Sequence, residues 1–231
     1  VDGGTVKLDG NYPVGTDNVA LGNTALDSVE AGGINNVAIG DNAGTAITTG
    51  DNNVAVGKDA LLANTTGASN TAVGKDALKT NTTASSNTAV GDATLCKNTT
   101  GASNTAVGFG ALFANTTALH NVAVGRVSLT ANTTGTCNIA MGVNALTANT
   151  TGNNNVAIGF CANATAVDRN DNTAIGFEAL KVNTGIGNTA VGKAAADSNT
   201  SATGITAIGN RALCSNTTGA NNTAVGLCAM R

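Results

Sequence analysis

A five-residue phrase of the form Asn-(Thr/Val)-Ala-(Val/Ile)-Gly returns thirteen times in near-identical form, and it constrains the fold more than any other feature of the chain. Its copies begin at Asn18, Asn36, Asn53, Asn70, Asn87, Asn104, Asn121, Asn138, Asn155, Asn172, Asn188, Ile205 and Asn222. Successive starts lie 17 residues apart, except for a first interval of 18 and an interval of 16 from Asn172 to Asn188. A period this short excludes stacked helix pairs, whose units need roughly 33 residues or more. The spacing of apolar residues also lacks the i, i+3, i+4, i+7 pattern of a helix. Numbering the unit Asn70–Ser86, NTAVGKDALKTNTTASS, from 1 to 17 turns the sequence into columns.

Column 3 is Ala and column 5 is Gly in every copy, and column 4 is aliphatic or Met. Column 8 is Ala, Ser or Thr, and column 9 is Leu in nine copies, among them Leu26, Leu61, Leu78 and Leu213. Columns 12 to 14 read Asn-Thr-Thr in seven copies. The phrase alternates as a strand does, with columns 2 and 4 on one face and column 3 on the other. Gly at column 5 suits a turn with positive φ. The expected architecture is all-β: a parallel β-solenoid, or β-roll, of about thirteen 17-residue coils over residues 18–231, behind an N-terminal segment or partial cap at 1–17. A second short strand is expected around columns 8 to 10. At the inter-strand spacing of about 4.8 Å per coil the rod would be on the order of 58 Å long.

Composition narrows the interior. Aromatic residues make up 2% of the 231 residues, so the large side chains that fill a wide core are missing. Columns 4 and 9 are therefore expected to fill a thin interior, with column 2 half-buried beside them. Column 3 then forms an apolar stripe on the opposite face, and Ala38, Ala55, Ala72, Ala89, Ala106, Ala123, Ala140 and Ala157 become candidates for packing between chains. In the alternative, column 3 faces inward and is Ala because a tight coil accommodates nothing larger. Stacked Asn in columns 1 and 12 can hydrogen-bond from coil to coil. Column 12 also creates glycosylation sequons at Asn64, Asn81, Asn98, Asn115, Asn132 and Asn149, which follow largely from the repeat itself. Column 6 varies and carries charge, so Phe109, Phe160 and Phe177 are candidate surface contacts for a receptor or a glycan, or for packing on a neighbouring chain or a neighbouring turn.

The signatures of chemistry are missing. The one His, His120, falls in the variable column 17, which leaves Ser or Cys nucleophiles without a recurring base partner. Zinc and calcium spacings do not occur, and Gly108–Gly110 and Gly185–Gly187 lack the third Gly of a dinucleotide loop. No catalytic, cofactor-binding or metal residue is assigned. A net charge of −3 with no basic run gives no nucleic-acid footprint, and no apolar run reaches membrane-spanning length. The five Cys fall in columns 7, 10 and 17, never in one column of adjacent coils, so intrachain disulfides are not required. The start at Val1 and the stop at Arg231 in mid-coil fit a processed product or a fragment of a longer fibre, or else subunits that stack through open ends.

The phrase Asn36-Val37-Ala38-Ile39-Gly40 resembles the head repeat of YadA-like trimeric autotransporter adhesins. The longer form, NTAVGKDALKTNTT, is similar to repeats of phage and bacterial tail-fibre proteins that carry an endosialidase-type chaperone. The resemblance covers about 90% of the chain and implies a left-handed roll, three chains about one axis, and a cell-surface or virion-surface location. The coil of 17 is longer than the typical adhesin head repeat, and no coiled-coil stalk, anchor or chaperone domain accompanies it. The expected role is a non-enzymatic extracellular fibre or adhesin that gives a rigid rod for attachment or display. Its partners would be itself, as a homotrimer or filament, and a cell-surface receptor or glycan. A self-polymerising filament subunit and an ice-binding solenoid are the rival readings; against the latter, adjacent Thr65 and Thr66 point opposite ways and leave one rank per coil.

Overall fold

The computed structural model describes residues 17–30 and 32–231. Apart from Asp17, the expected N-terminal segment lies outside the described residues. The chain is all-β, a parallel β-solenoid with one three-residue strand per repeat. It divides into two compact units, Val1–Thr117 and Ala118–Arg231.

The first unit contains β1 (Val19–Leu21), β2 (Val37–Ile39), β3 (Val54–Val56), β4 (Thr71–Val73), β5 (Thr88–Val90) and β6 (Thr105–Val107). The second contains β7 (Val122–Val124), β8 (Ile139–Met141), β9 (Val156–Ile158), β10 (Thr173–Ile175), β11 (Thr189–Val191), β12 (Thr206–Ile208) and β13 (Thr223–Val225). Within each unit every strand pairs in parallel with the next, column on column: Ala72 lies beside Ala89 as Ala123 lies beside Ala140. The 16-residue interval leaves this register intact, since Thr173 still pairs with Thr189. Each coil bonds both neighbours; the Thr71 N–H donates to Asn87 O at 2.8 Å and the Gly74 N–H to Val56 O at 2.8 Å.

Column 5 ends the strand in a conformation open to Gly alone, with φ between 125 and 137° in all thirteen copies. The expected second strand does not form. Columns 8 to 10 lie instead in a run of turns, because columns 7 and 9 both take positive φ, as at Asp76 (57°) and Leu78 (50°). Left-handed backbone costs a side-chain-bearing residue roughly 1–2 kcal/mol. Burying a Leu completely returns about 1.5–3 kcal/mol, and all nine column 9 Leu are at most 1% exposed. Burial therefore outweighs the conformational cost. Coil-to-coil bonds add to it, as where the Leu61 N–H donates to Ala77 O at 3.0 Å.

The interior of a coil is made by columns 1, 3, 8, 9 and 12. Columns 9 and 12 share one space, which the second coil shows by exchange: Gly44 stands where other coils have Leu, and Ile47 stands where they have Asn. A Cβ added at Gly44 would lie 3.0 Å from Ile47 Cδ1, so the larger side chain at column 12 has taken up the room given up at column 9.

Candidate functional site: an outer strand face over internal amide ladders

Two columns of Asn run through the interior of each unit. Column 1 is built so that each amide serves the coils on both sides. Asn70 Nδ2 donates to Asn53 Oδ1 (3.1 Å) and to Ala84 O (2.8 Å), while Asn70 Oδ1 accepts the Asn87 N–H at 3.0 Å. The second unit repeats the pattern through Asn121, Asn138, Asn155, Asn172 and Asn188. In column 12, Asn81 Nδ2 donates to Asn64 Oδ1 and Asn98 Nδ2 to Asn81 Oδ1, both at 2.8 Å. Both columns also bond the carbonyl of column 15, for instance Asn53 Nδ2 and Asn64 Nδ2 to Gly67 O, each at 2.9 Å. An amide carries both donors and acceptors, so a stack of identical amides satisfies itself and needs no water. The coil-to-coil role expected of these residues is present.

Their burial overturns the glycosylation candidates. Asn64, Asn81, Asn98, Asn115, Asn132 and Asn149 are all 0% exposed, so the folded chain presents none of these amides to a glycan. The sequon Thr at column 14 is exposed, as at Thr66, Thr83 and Thr100. The column 13 Thr is half-buried and donates its hydroxyl to the next coil, Thr65 to Thr82 O at 3.1 Å.

The Ala stripe is likewise corrected. Ala38, Ala55, Ala72, Ala89, Ala106, Ala123, Ala140 and Ala157 are at most 1% exposed within the single chain, so none of them is available to a second one. The tight coil faces Ala inward because its cross-section already holds Leu and two Asn. Column 4, expected inside, consequently lies on the outer face with column 2. Ile39, Val90, Val107, Ile158 and Ile208 are 36–40% exposed, and Ile139 and Met141 stand beside each other on β8 in the same state. Thr71, Thr88 and Val122 of column 2 are half-buried, as expected. The apolar stripe thus exists, but it is built of Val, Ile and Thr, at strand spacing along each unit.

Among the column 6 aromatics, Phe109, Phe160 and Phe177 are 53, 45 and 46% exposed. Phe160 and Phe177, from successive coils, stack with centroids 5.4 Å apart and planes 12° from parallel, and Lys193 Nζ lies 5.9 Å from the Phe177 centroid. The pair therefore packs turn on turn. All five Cys are free thiols; Cys214 is buried, Cys137 is exposed and the rest are half-buried. Burial pushes the Cys96 thiol above its ordinary value, and the nearby Asp76 charge adds to the effect. His120 sits exposed in a turn with φ 59°.

Most charged side chains lie on the outside, but Asp59 is only 9% exposed. Lys79 Nζ bridges Asp76 (2.8 Å) and Asp59 (3.3 Å) across two coils. The Asp59 carboxyl is held below the usual range, first by the Asn42 amide that donates to it and then, with burial opposing, by Lys79. Asp168 is lowered too, by the Thr150 hydroxyl and by Thr151. Both depressed carboxyls contribute stability above the unfolded carboxylate value that is lost as pH falls through their folded values. Among the described residues no group of three or more His, Cys, Asp or Glu could hold a metal ion, and no helix is long and apolar enough to cross a membrane.

No protein-family model, no curated protein and no solved structure matches this chain.

Proposed function

We propose that this chain is a non-enzymatic, extracellular fibre or adhesin segment that works as a stiff spacer on a cell or virion surface, associating with copies of itself along the outer strand face. The observation that carries the reading is the outward stripe of columns 2 and 4. From β1 to β13 no charged residue occupies either column. An exposed stripe of Val, Ile and Thr repeated from coil to coil within each unit is the kind of surface that marks an interaction site. A copy of the same chain is the partner that matches it coil for coil, since both present the same spacing. The number three comes from the resemblance to the adhesin heads, as does the surface location.

Sedimentation equilibrium tests the association. The unaltered chain is expected at three times its 22.3 kDa. The Val90→Glu variant buries a charge in the contact of every copy and is expected to associate at least about 100-fold more weakly, with unchanged far-UV circular dichroism because the side chain points out of the coil. A single-chain mass for the unaltered protein at all concentrations would overturn the reading.

A further inference from the structure

One coil breaks the column rules in two places at once. In the coil that begins at Asn155, Asn163 stands at column 9 in place of Leu, and Ala166 stands at column 12 in place of Asn. Asn163 is 0% exposed and keeps the left-handed backbone of that column, with φ 48°. Its amide has taken over part of the missing ladder rung. Asn183 Nδ2, in column 12 of the following coil, donates to Asn163 Oδ1 at 3.3 Å. The other half of the rung is not made. Asn149, the column 12 residue of the preceding coil, donates to Asn132 Oδ1 (2.9 Å) and Gly152 O (3.0 Å), but its Oδ1 is buried and meets no protein donor. Asn163 Nδ2 is buried and meets no protein acceptor. In an intact column, an Nδ2 at this place donates to an Oδ1 at that place, as Asn81 does to Asn64 at 2.8 Å.

An unmatched acceptor in one coil and an unmatched donor in the next therefore stand where the amide column is interrupted by Ala166, whose side chain is an amide group shorter than the Asn it replaces. Leaving a buried polar atom unpaired is costly, and two of them in adjacent coils would forfeit a sizeable part of the ladder's benefit. We infer that this coil binds one internal water molecule, which accepts from Asn163 Nδ2 and donates to Asn149 Oδ1, completing the amide column through a bridge. Water is the ligand that fits: it is both donor and acceptor, and a buried polar site with at least two partners is where proteins retain it. A cation is excluded by the Nδ2 donor and an anion by the Oδ1 acceptor. The third buried atom without a partner, Arg169 Nε, belongs to the same coil, where Arg169 replaces the Gly or Ala of column 15.

The test is a crystal structure of the full chain at about 1.8 Å or better, read together with two variants. A single ordered solvent peak within about 3.2 Å of both Asn149 Oδ1 and Asn163 Nδ2 is the expected result. A direct bond between those two atoms, or no solvent peak between them, overturns the inference. Exchanging the rung back, with Asn163→Leu and Ala166→Asn together, is expected to remove the peak and raise the unfolding midpoint above that of the unaltered chain. Asn163→Leu alone is expected to lower it, because Asn183 Nδ2 then loses its acceptor. A midpoint that the exchanged pair leaves unchanged or lowers counts against the bridge.

Discussion

Replacing Asn81 by Asp is expected to destabilise the first unit by about 3–5 kcal/mol at neutral pH, the loss that an uncompensated buried charge brings. Asn81 is 0% exposed and its Nδ2 donates to Asn64 Oδ1 at 2.8 Å and Ala84 O at 3.0 Å. A carboxylate there would turn an oxygen towards two acceptors, and only the Asn98 amide, which already bonds Asn81 Oδ1, would still match it. Burial and the two acceptors raise the folded pKa of the new carboxyl above its unfolded value of about 3.9. A raised carboxyl pKa means that the deficit is smallest below about pH 4. It then grows by about 1.4 kcal/mol per pH unit and levels off above the folded pKa. Thermal unfolding of variant and unaltered chain at matched pH reads the difference directly, which matters because Asp59 and Asp168 make the unaltered chain itself less stable in acid. A deficit independent of pH, or one under about 1 kcal/mol at pH 7, would mean that the column 12 amides are not sealed from water.

Gly74→Ala is the second large expected loss, about 3 kcal/mol or more. The backbone at Gly74 has φ +135°, and an added Cβ would lie 2.4 Å from Gly91 O and 2.6 Å from Gly91 C. Both are backbone atoms of the next coil, so relief requires the coils to part. Gly187 supplies the contrast. Its φ is +65° and nothing lies within 4 Å of its Cβ position, so Gly187→Asn is expected to leave the unfolding midpoint within a degree or two. A loss at Gly74 no larger than that at Gly187 would show that neither the φ of +135° nor the approach of the next coil limits column 5.

How far the sequence could be read depended on which physical term decided each column. The strand at columns 2 to 4, its parallel register and the turn at Gly were legible, because period-two alternation and invariant Gly each have one structural meaning at a 17-residue repeat. The direction of the alternation was not legible from alternation alone. Whether Ala72 or Val73 faces inward depends on the width of the coil, and that width is set by Leu78, Asn70 and Asn81, which arrive from elsewhere in the unit. The signal was present in the columns: where Leu and two Asn recur in most coils, little room is left for anything above Ala. The second strand was lost because columns 7 and 9 take left-handed backbone, yet column 7 holds residues as different as Asp76, Val127 and Arg211 and column 9 is mostly Leu, so neither column signals it consistently. The sequons misled for a related reason. Asn-Thr-Thr reads as an exposed turn, and only stacking of identical coils converts its Asn into an interior rung. The exchange at Asn163 and Ala166 was visible as two column violations, but its meaning required knowing that columns 9 and 12 share one space.

The claim on which the account turns is that columns 2 and 4, and not the Ala column, form the face that copies of this chain bury against one another. Electron microscopy of the native protein with class averaging tests it most directly, because it reports symmetry and chain packing together. The expected result is threefold particles in which the outer strand faces of the chains meet at the common axis. Isolated single rods, or multi-chain rods with the strands turned to solvent, would contradict it.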